Sequence, residues 1–147
     1  MLKVKDADFH AMRGHGEETY PHECCGVMLG RMVAGTNVVE RVVRAGNTRT
    51  DSLHNRYQIA PEELVKIQRQ AREQQLDIVG FYHSHPDHPA RWSETDLREA
   101  HWMGCSYVIT SVANGVAEHT NSFRLAGTDE DDKQLVDEPV VTVAISF

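Results

Sequence analysis

Apolar positions follow two rhythms along this chain, a period near two in some segments and near 3.6 in others. Residues 25–32 and 37–45 are apolar or β-branched runs of strand length, and Ala34-Gly35-Thr36 between them predicts a hairpin. Residues 57–60 read as a short strand. Pro61 then stands where a helix begins, Glu62 and Glu63 follow in the first turn, and Leu64, Ile67 and Ala71 fall on one face of a helix reaching about residue 75. Residues 78–85, opening on an apolar run rich in strand formers, predict a central strand. A helix over 94–103 is expected to stop at Gly104. Residues 106–112 and 116–125 flank Asn114-Gly115, a strong signal for a type I′ hairpin. Phe9 and Met12 mark a short, glycine-interrupted helix over 6–19, and 140–145 reads as a last strand. These elements do not alternate as regular βαβ units. They predict an α+β fold, a mixed and largely antiparallel sheet flanked by helices, in one domain over 1–147.

Charge and cysteine content narrow the function. The 147 residues carry 22 acidic against 15 basic side chains, a net charge of −7 with the basic residues scattered. Nucleic acid and anionic membranes reward clusters of Lys and Arg, so neither is the expected partner. No apolar stretch approaches the 18 or so residues of a membrane span, and a soluble, cytoplasmic protein is expected. Three cysteines, two adjacent at Cys24 and Cys25, form no disulfide framework, which fits a reducing compartment. In an apolar strand such cysteines usually serve as small buried hydrophobes.

The candidate chemistry lies in His83-Ser84-His85-Pro86 and, six residues on, Ser93-Glu94-Thr95-Asp96. On a strand, residues two apart point to one face about 6.7 Å apart, so the two imidazoles can converge on one ion. Pro86 has no N–H for the ladder and sends the chain into a loop. Ser-x-x-Asp before an apolar run is also a helix-start device, Ser93 as N-cap and Asp96 at N3, with Trp92 and Leu97 placed as a hydrophobic staple. The two readings are compatible, because a capped helix start is a rigid mount for a ligand. Two imidazoles and a carboxylate match a catalytic Zn²⁺ site. Deaminases pair His-x-Glu with Pro-Cys-x-x-Cys; this chain has neither arrangement.

Upstream, Glu23 opens the apolar run of Glu23-Cys24-Cys25-Gly26-Val27-Met28-Leu29-Gly30, a costly place for a decorative carboxylate. With that segment added, the pattern from about residue 23 to 125 resembles the JAMM (MPN-plus) zinc metallopeptidases, the family of deubiquitinating isopeptidases and their small prokaryotic relatives. The resemblance implies a three-layer, cytidine-deaminase-like fold. It implies Zn²⁺ on His83, His85 and Asp96, Glu23 as the group that moves the proton from water to the leaving amine, and Ser93 as a donor to the oxyanion. It also implies a substrate: the amide after the C-terminal Gly-Gly of a ubiquitin-like protein. The shortness of the chain is more like the stand-alone type that processes sulfur carriers.

Three other readings stay open on sequence. They are a non-catalytic scaffold of the same fold, a DNA-repair-associated branch, and a metallopeptidase for cell-wall or tail-assembly peptides. The scaffold is disfavoured because Glu23, His83, His85, Ser93 and Asp96 are all present, and the DNA-repair branch by the acidic balance. His88, in the loop after Pro86, is expected in solvent by default. His10, His15, His54, His101 and His119 show no ligand spacing, and most are expected at the surface.

Overall fold

The computed structural model describes residues 1–47 and 58–144. Its elements run β1 (Leu2–Lys5), α1 (Asp6–Thr19), β2 (Cys25–Val33), β3 (Thr36–Ala45), α2 (Pro61–Glu73), β4 (Asp77–Pro86), α3 (Glu94–Glu99), β5 (Ser106–Ala113), β6 (Val116–Ala126), β7 (Gln134–Glu138) and β8 (Val140–Val143). The strands form one sheet in the order β7-β6-β5-β4-β2-β3-β1-β8. β4 pairs antiparallel with β2 and parallel with β5. β1 pairs parallel with both β3 and β8, and the remaining pairings are antiparallel. The sheet is therefore mixed, as the irregular alternation of elements predicts.

Alternation along the strands splits the core between two faces. Val27, Leu29, Phe81, Tyr107 and Ile109 pack with Ile67 and Ala71 of α2. Met28, Tyr82 and Val108 pack on the opposite face with Met12 of α1. Helices thus cover both sides of the sheet, giving three layers. Gly16 lets α1 lie close against the sheet: a Cβ there would sit 3.1 Å from the Ser84 Cβ and the Val112 Cγ2.

Both predicted hairpins form with two-residue turns. Ala34-Gly35 and Asn114-Gly115 have positive φ throughout (50° and 81°, 50° and 85°), as a type I′ turn demands. Thr36 already belongs to β3. Two boundaries differ from expectation. α3 ends at Glu99, well before Gly104, because Ala100 is buried and leaves helical geometry at φ −85°, ψ 116°. Lys133 Nζ donates to the Arg98 and Ala100 carbonyls at 3.1 and 2.8 Å, and the Trp102 amide donates to the Tyr107 hydroxyl at 3.1 Å. Side chains outside the helix, Lys133 from far along the chain and Tyr107 from β5, therefore satisfy the backbone groups that a longer helix would have used. The strand expected over 57–60 lies partly outside the described residues, and 58–60 carry no strand. Gln58 N–H donates to Asn47 Oδ1, and the Ala60 carbonyl accepts the Leu64 amide at the start of α2. β8 occupies the first part of the segment predicted at 140–145, whose last residue is outside the described range.

Candidate metal centre

The site forms at the end of β4, on the face shared with α2 and α3. His83 and His85 project to that face with their Nε2 atoms 3.1 Å apart. Asp96 reaches them from the first turn of α3: its Oδ1 lies 3.2 Å from His83 Nε2 and its Oδ2 lies 3.2 Å from His85 Nε2. Glu23 enters from just before β2, two residues ahead of the ladder pair Cys25↔His83 and so on the same face as Cys25 and His83. Donor atoms of Glu23, His83 and His85 all lie within 4.8 Å of one another. Two imidazoles and two carboxylates, separated by up to 73 positions in sequence (23 to 96), thus converge on one small volume.

Local structure fixes each arm. His85 Nδ1 is 2.9 Å from the Pro89 carbonyl, which sets its ring and leaves Nε2 to face the site. The loop between Pro86 and Ser93 is pinned further along, where Asn121 Nδ2 donates to the Ala90 carbonyl at 2.9 Å. At its start, Asp87 accepts the Asn114 amide at 2.9 Å and the Tyr20 hydroxyl at 2.7 Å. Ser93 caps α3 as predicted. Its hydroxyl accepts the Asp96 amide at 3.1 Å, and Asp96 Oδ2 accepts the Ser93 amide at 2.9 Å. Leu97 packs on the core while Trp92 stays 38% exposed.

Burial sets the electrostatics. His83 is 2% exposed, and desolvation lowers its pKa against the raising influence of Asp96. Glu23 is 3% exposed; burial, then the charges of Asp96 and Glu99, push its carboxyl up to about 9. Burial alone would raise Asp96 as well, but the charge of His83 and hydrogen bonds from both histidines outweigh it and hold Asp96 below the ordinary carboxylate range. Glu23 Oε2 is buried and has no hydrogen-bond partner among the described residues. A cavity of about 290 Å³ lies on the same face of the sheet, lined by Phe81, Trp102, Tyr107, Ile59, Leu64 and Glu99.

The other sequence candidates fall elsewhere. Cys24 and Cys25 are buried and free, and desolvation raises both thiols, Cys24 to about 11, so neither is an activated nucleophile. His88, His10, His101 and His119 are exposed, and His54 lies outside the described residues. His15, expected at the surface, is buried under β4 with its Nδ1 2.8 Å from the Tyr82 hydroxyl. Two features of the site escaped the sequence. The Pro89 carbonyl behind His85 carries no residue-type signal, and the cavity is assembled from α2, β4, α3, β5 and the segments beside the two helices.

Comparison with known proteins agrees with this architecture. Residues 6–126 match the family model described as prokaryotic homologs of the JAB domain, and the chain belongs to that family. The desampylase of Haloferax volcanii is 35% identical over 114 residues, covering 75% of this chain and 76% of that protein. The CysO-cysteine peptidase of Mycobacterium tuberculosis is 28% identical over 143 residues, 97% of this chain and 92% of that protein. A JAB1/MPN domain protein from Archaeoglobus fulgidus shares the fold at a TM-score of 0.58 and 13% identity, each chain covered to 97%.

Proposed function

We propose that this chain is a zinc-dependent metallopeptidase that hydrolyses the amide after the C-terminal Gly-Gly of a ubiquitin-like protein, in particular a sulfur carrier. One observation carries the reading: two imidazole Nε2 atoms 3.1 Å apart, each 3.2 Å from an oxygen of the same aspartate, beside a buried glutamate oxygen with no partner among the described residues. This donor set fits Zn²⁺. His83, His85 and Asp96 would hold the ion through two nitrogens and a carboxylate, the ligand count of catalytic zinc sites. When bound, the ion would lower the pKa of a coordinated water to about 7 and polarise the scissile carbonyl.

The chain's own residues supply the rest. Glu23, outside the set that touches both histidines, accepts the proton of the attacking water and returns it to the leaving amine. Burial and the neighbouring carboxylates raise its basicity, and the positive charge of a bound ion would favour the ionised form that accepts a proton. Ser93 uses its oxygen to accept the Asp96 amide, so its hydroxyl proton remains available to the oxyanion. Such a donor typically lowers the barrier by about 2.7–4 kcal/mol. The names of the relatives, a desampylase and a CysO-cysteine peptidase, support a peptidase acting on a small carrier protein. Glycines at the cleaved end would let the backbone come close to the buried donors.

The test is to mix purified, zinc-loaded protein with ubiquitin-like proteins bearing a C-terminal amino acid or peptide extension and to read the products by intact mass. The expected product ends at Gly-Gly, is absent after chelation, and forms at least about 10²-fold more slowly with Glu23→Gln. Cleavage that survives the chelator, or an unchanged substrate across the panel, would overturn the proposal.

A further inference from the structure

Between the two metal-site histidines, Ser84 points to the other face of the sheet and is fully buried. The β2–β4 ladder ends at the pair Cys25↔His83, so the next rung would set Cys24 against Ser84. That rung is irregular. Ser84 N–H reaches the Cys24 carbonyl at a long 3.3 Å, and the Cys24 amide turns to the Ser84 hydroxyl, 2.8 Å away. The hydroxyl thus takes the place of a ladder carbonyl where the two strands part. Behind it, α1 leaves little room to shift, because Gly16 lies where even a methyl would sit 3.1 Å from the Ser84 Cβ.

What this clamp holds is the residue next to Glu23. The Glu23 carboxylate has an oxygen with no partner among the described residues, so no hydrogen bond of its own holds that oxygen and its location depends on the main chain beneath it. Cys24, 2% exposed, cannot exchange its clamp for solvent. We infer that Ser84 is a positioning residue for the reaction: through the Cys24 amide its hydroxyl fixes the Glu23 carboxylate relative to His83 and His85, without touching substrate or metal. This inference rests on the function proposed above. The same residue that separates the two histidines by one strand position also sets the distance from the base to both.

The experiment compares wild type, Ser84→Ala, Glu23→Gln and the double variant. In Ser84→Ala, exchange of the Cys24 amide with deuterium should accelerate while that of β4 and β5 is unchanged. The visible spectrum of the cobalt-substituted protein should match wild type, placing the ligands where they were. With a cleavable substrate, kcat should fall between about 10- and 100-fold, the scale of a misplacement of an ångström or less, with KM within twofold. Adding Ser84→Ala to Glu23→Gln should cost nothing further, because both act through one group. An unchanged Cys24 exchange rate, an altered cobalt spectrum, or additive losses in the double variant would overturn the inference. Wild-type inactivity on the whole substrate panel would instead sink the proposed function, and the exchange and cobalt measurements would still decide whether Ser84 holds Cys24 independently of the ligands.

Discussion

Ser93 and Asp96 hold each other at the start of α3: the Ser93 amide donates to Asp96 Oδ2 at 2.9 Å, and the Ser93 hydroxyl accepts the Asp96 amide at 3.1 Å. Oδ2 also lies 3.2 Å from His85 Nε2, so one oxygen belongs both to a helix cap and to the histidine pair. Capping therefore limits the rotation of the ligand before any ion arrives.

Ser93→Ala separates the two roles of the hydroxyl. Loss of the cap should cost about 1 kcal/mol of stability. Loss of the oxyanion donor should cut kcat by about 10²–10³ in protein that remains folded and zinc-loaded. The measurements are a denaturant melt, a zinc count and kcat on the preferred substrate. A destabilised but fully active variant would reduce Ser93 to a cap.

His85→Ala should abolish stoichiometric zinc in elemental analysis, since one of two converging nitrogens is gone. Melting should persist as a single cooperative transition, because the core on both faces of the sheet is built without the site. One zinc per chain retained in the variant would reject the ligand assignment.

Much of this arrangement was legible in the sequence because its signals are local. Two histidines at strand spacing, a proline that ends pairing, and Ser-x-x-Asp at a helix start each involve neighbours within a few positions. The rest depends on distant contacts. β7 is a short edge strand whose register is set by β6, and α3 stops early where Lys133 takes over the Arg98 and Ala100 carbonyls. β1 did carry a period-two pattern in Leu2-Lys3-Val4-Lys5, too brief to separate from a frayed terminus until pairing with β3 and β8 gives it a place. Similarly, the burial of His15 follows from Tyr82 on the sheet face beneath α1, not from its neighbours in the helix.

Two glycines should respond oppositely to alanine. A Cβ on Gly26 would overlap the ring and hydroxyl of Tyr82, which is 2% exposed and tied to His15. Gly26→Ala should therefore cost about 1–3 kcal/mol as the buried ring is displaced. Gly14 lies within α1, where a Cβ meets nothing within 4 Å. Gly14→Ala should stabilise the protein by up to about 1 kcal/mol through helix propensity. Denaturant melts decide both; equal effects would mean that overlap with Tyr82 does not govern Gly26.

Stability should also carry a pH signature from His15. Burial, then the charge of Arg44, lowers its pKa, partly opposed by Glu18. The folded state therefore favours the neutral ring more than the unfolded chain does, and between the two pKa values the unfolded chain binds more protons. The contribution is fully present above the unfolded value of about 6.5 and is lost as pH falls through it toward the folded value. His15→Phe keeps a ring edge against Tyr82 but removes both the titrating nitrogen and the 2.8 Å contact with the tyrosine hydroxyl. At pH 8 the variant should be the less stable, and by pH 5.5 the gap should narrow, because only the wild type has a buried imidazole to protonate. Melts of both proteins with chelator present keep metal release from contributing. A gap equal at the two pH values would show that His15 titrates alike in the folded and unfolded chains.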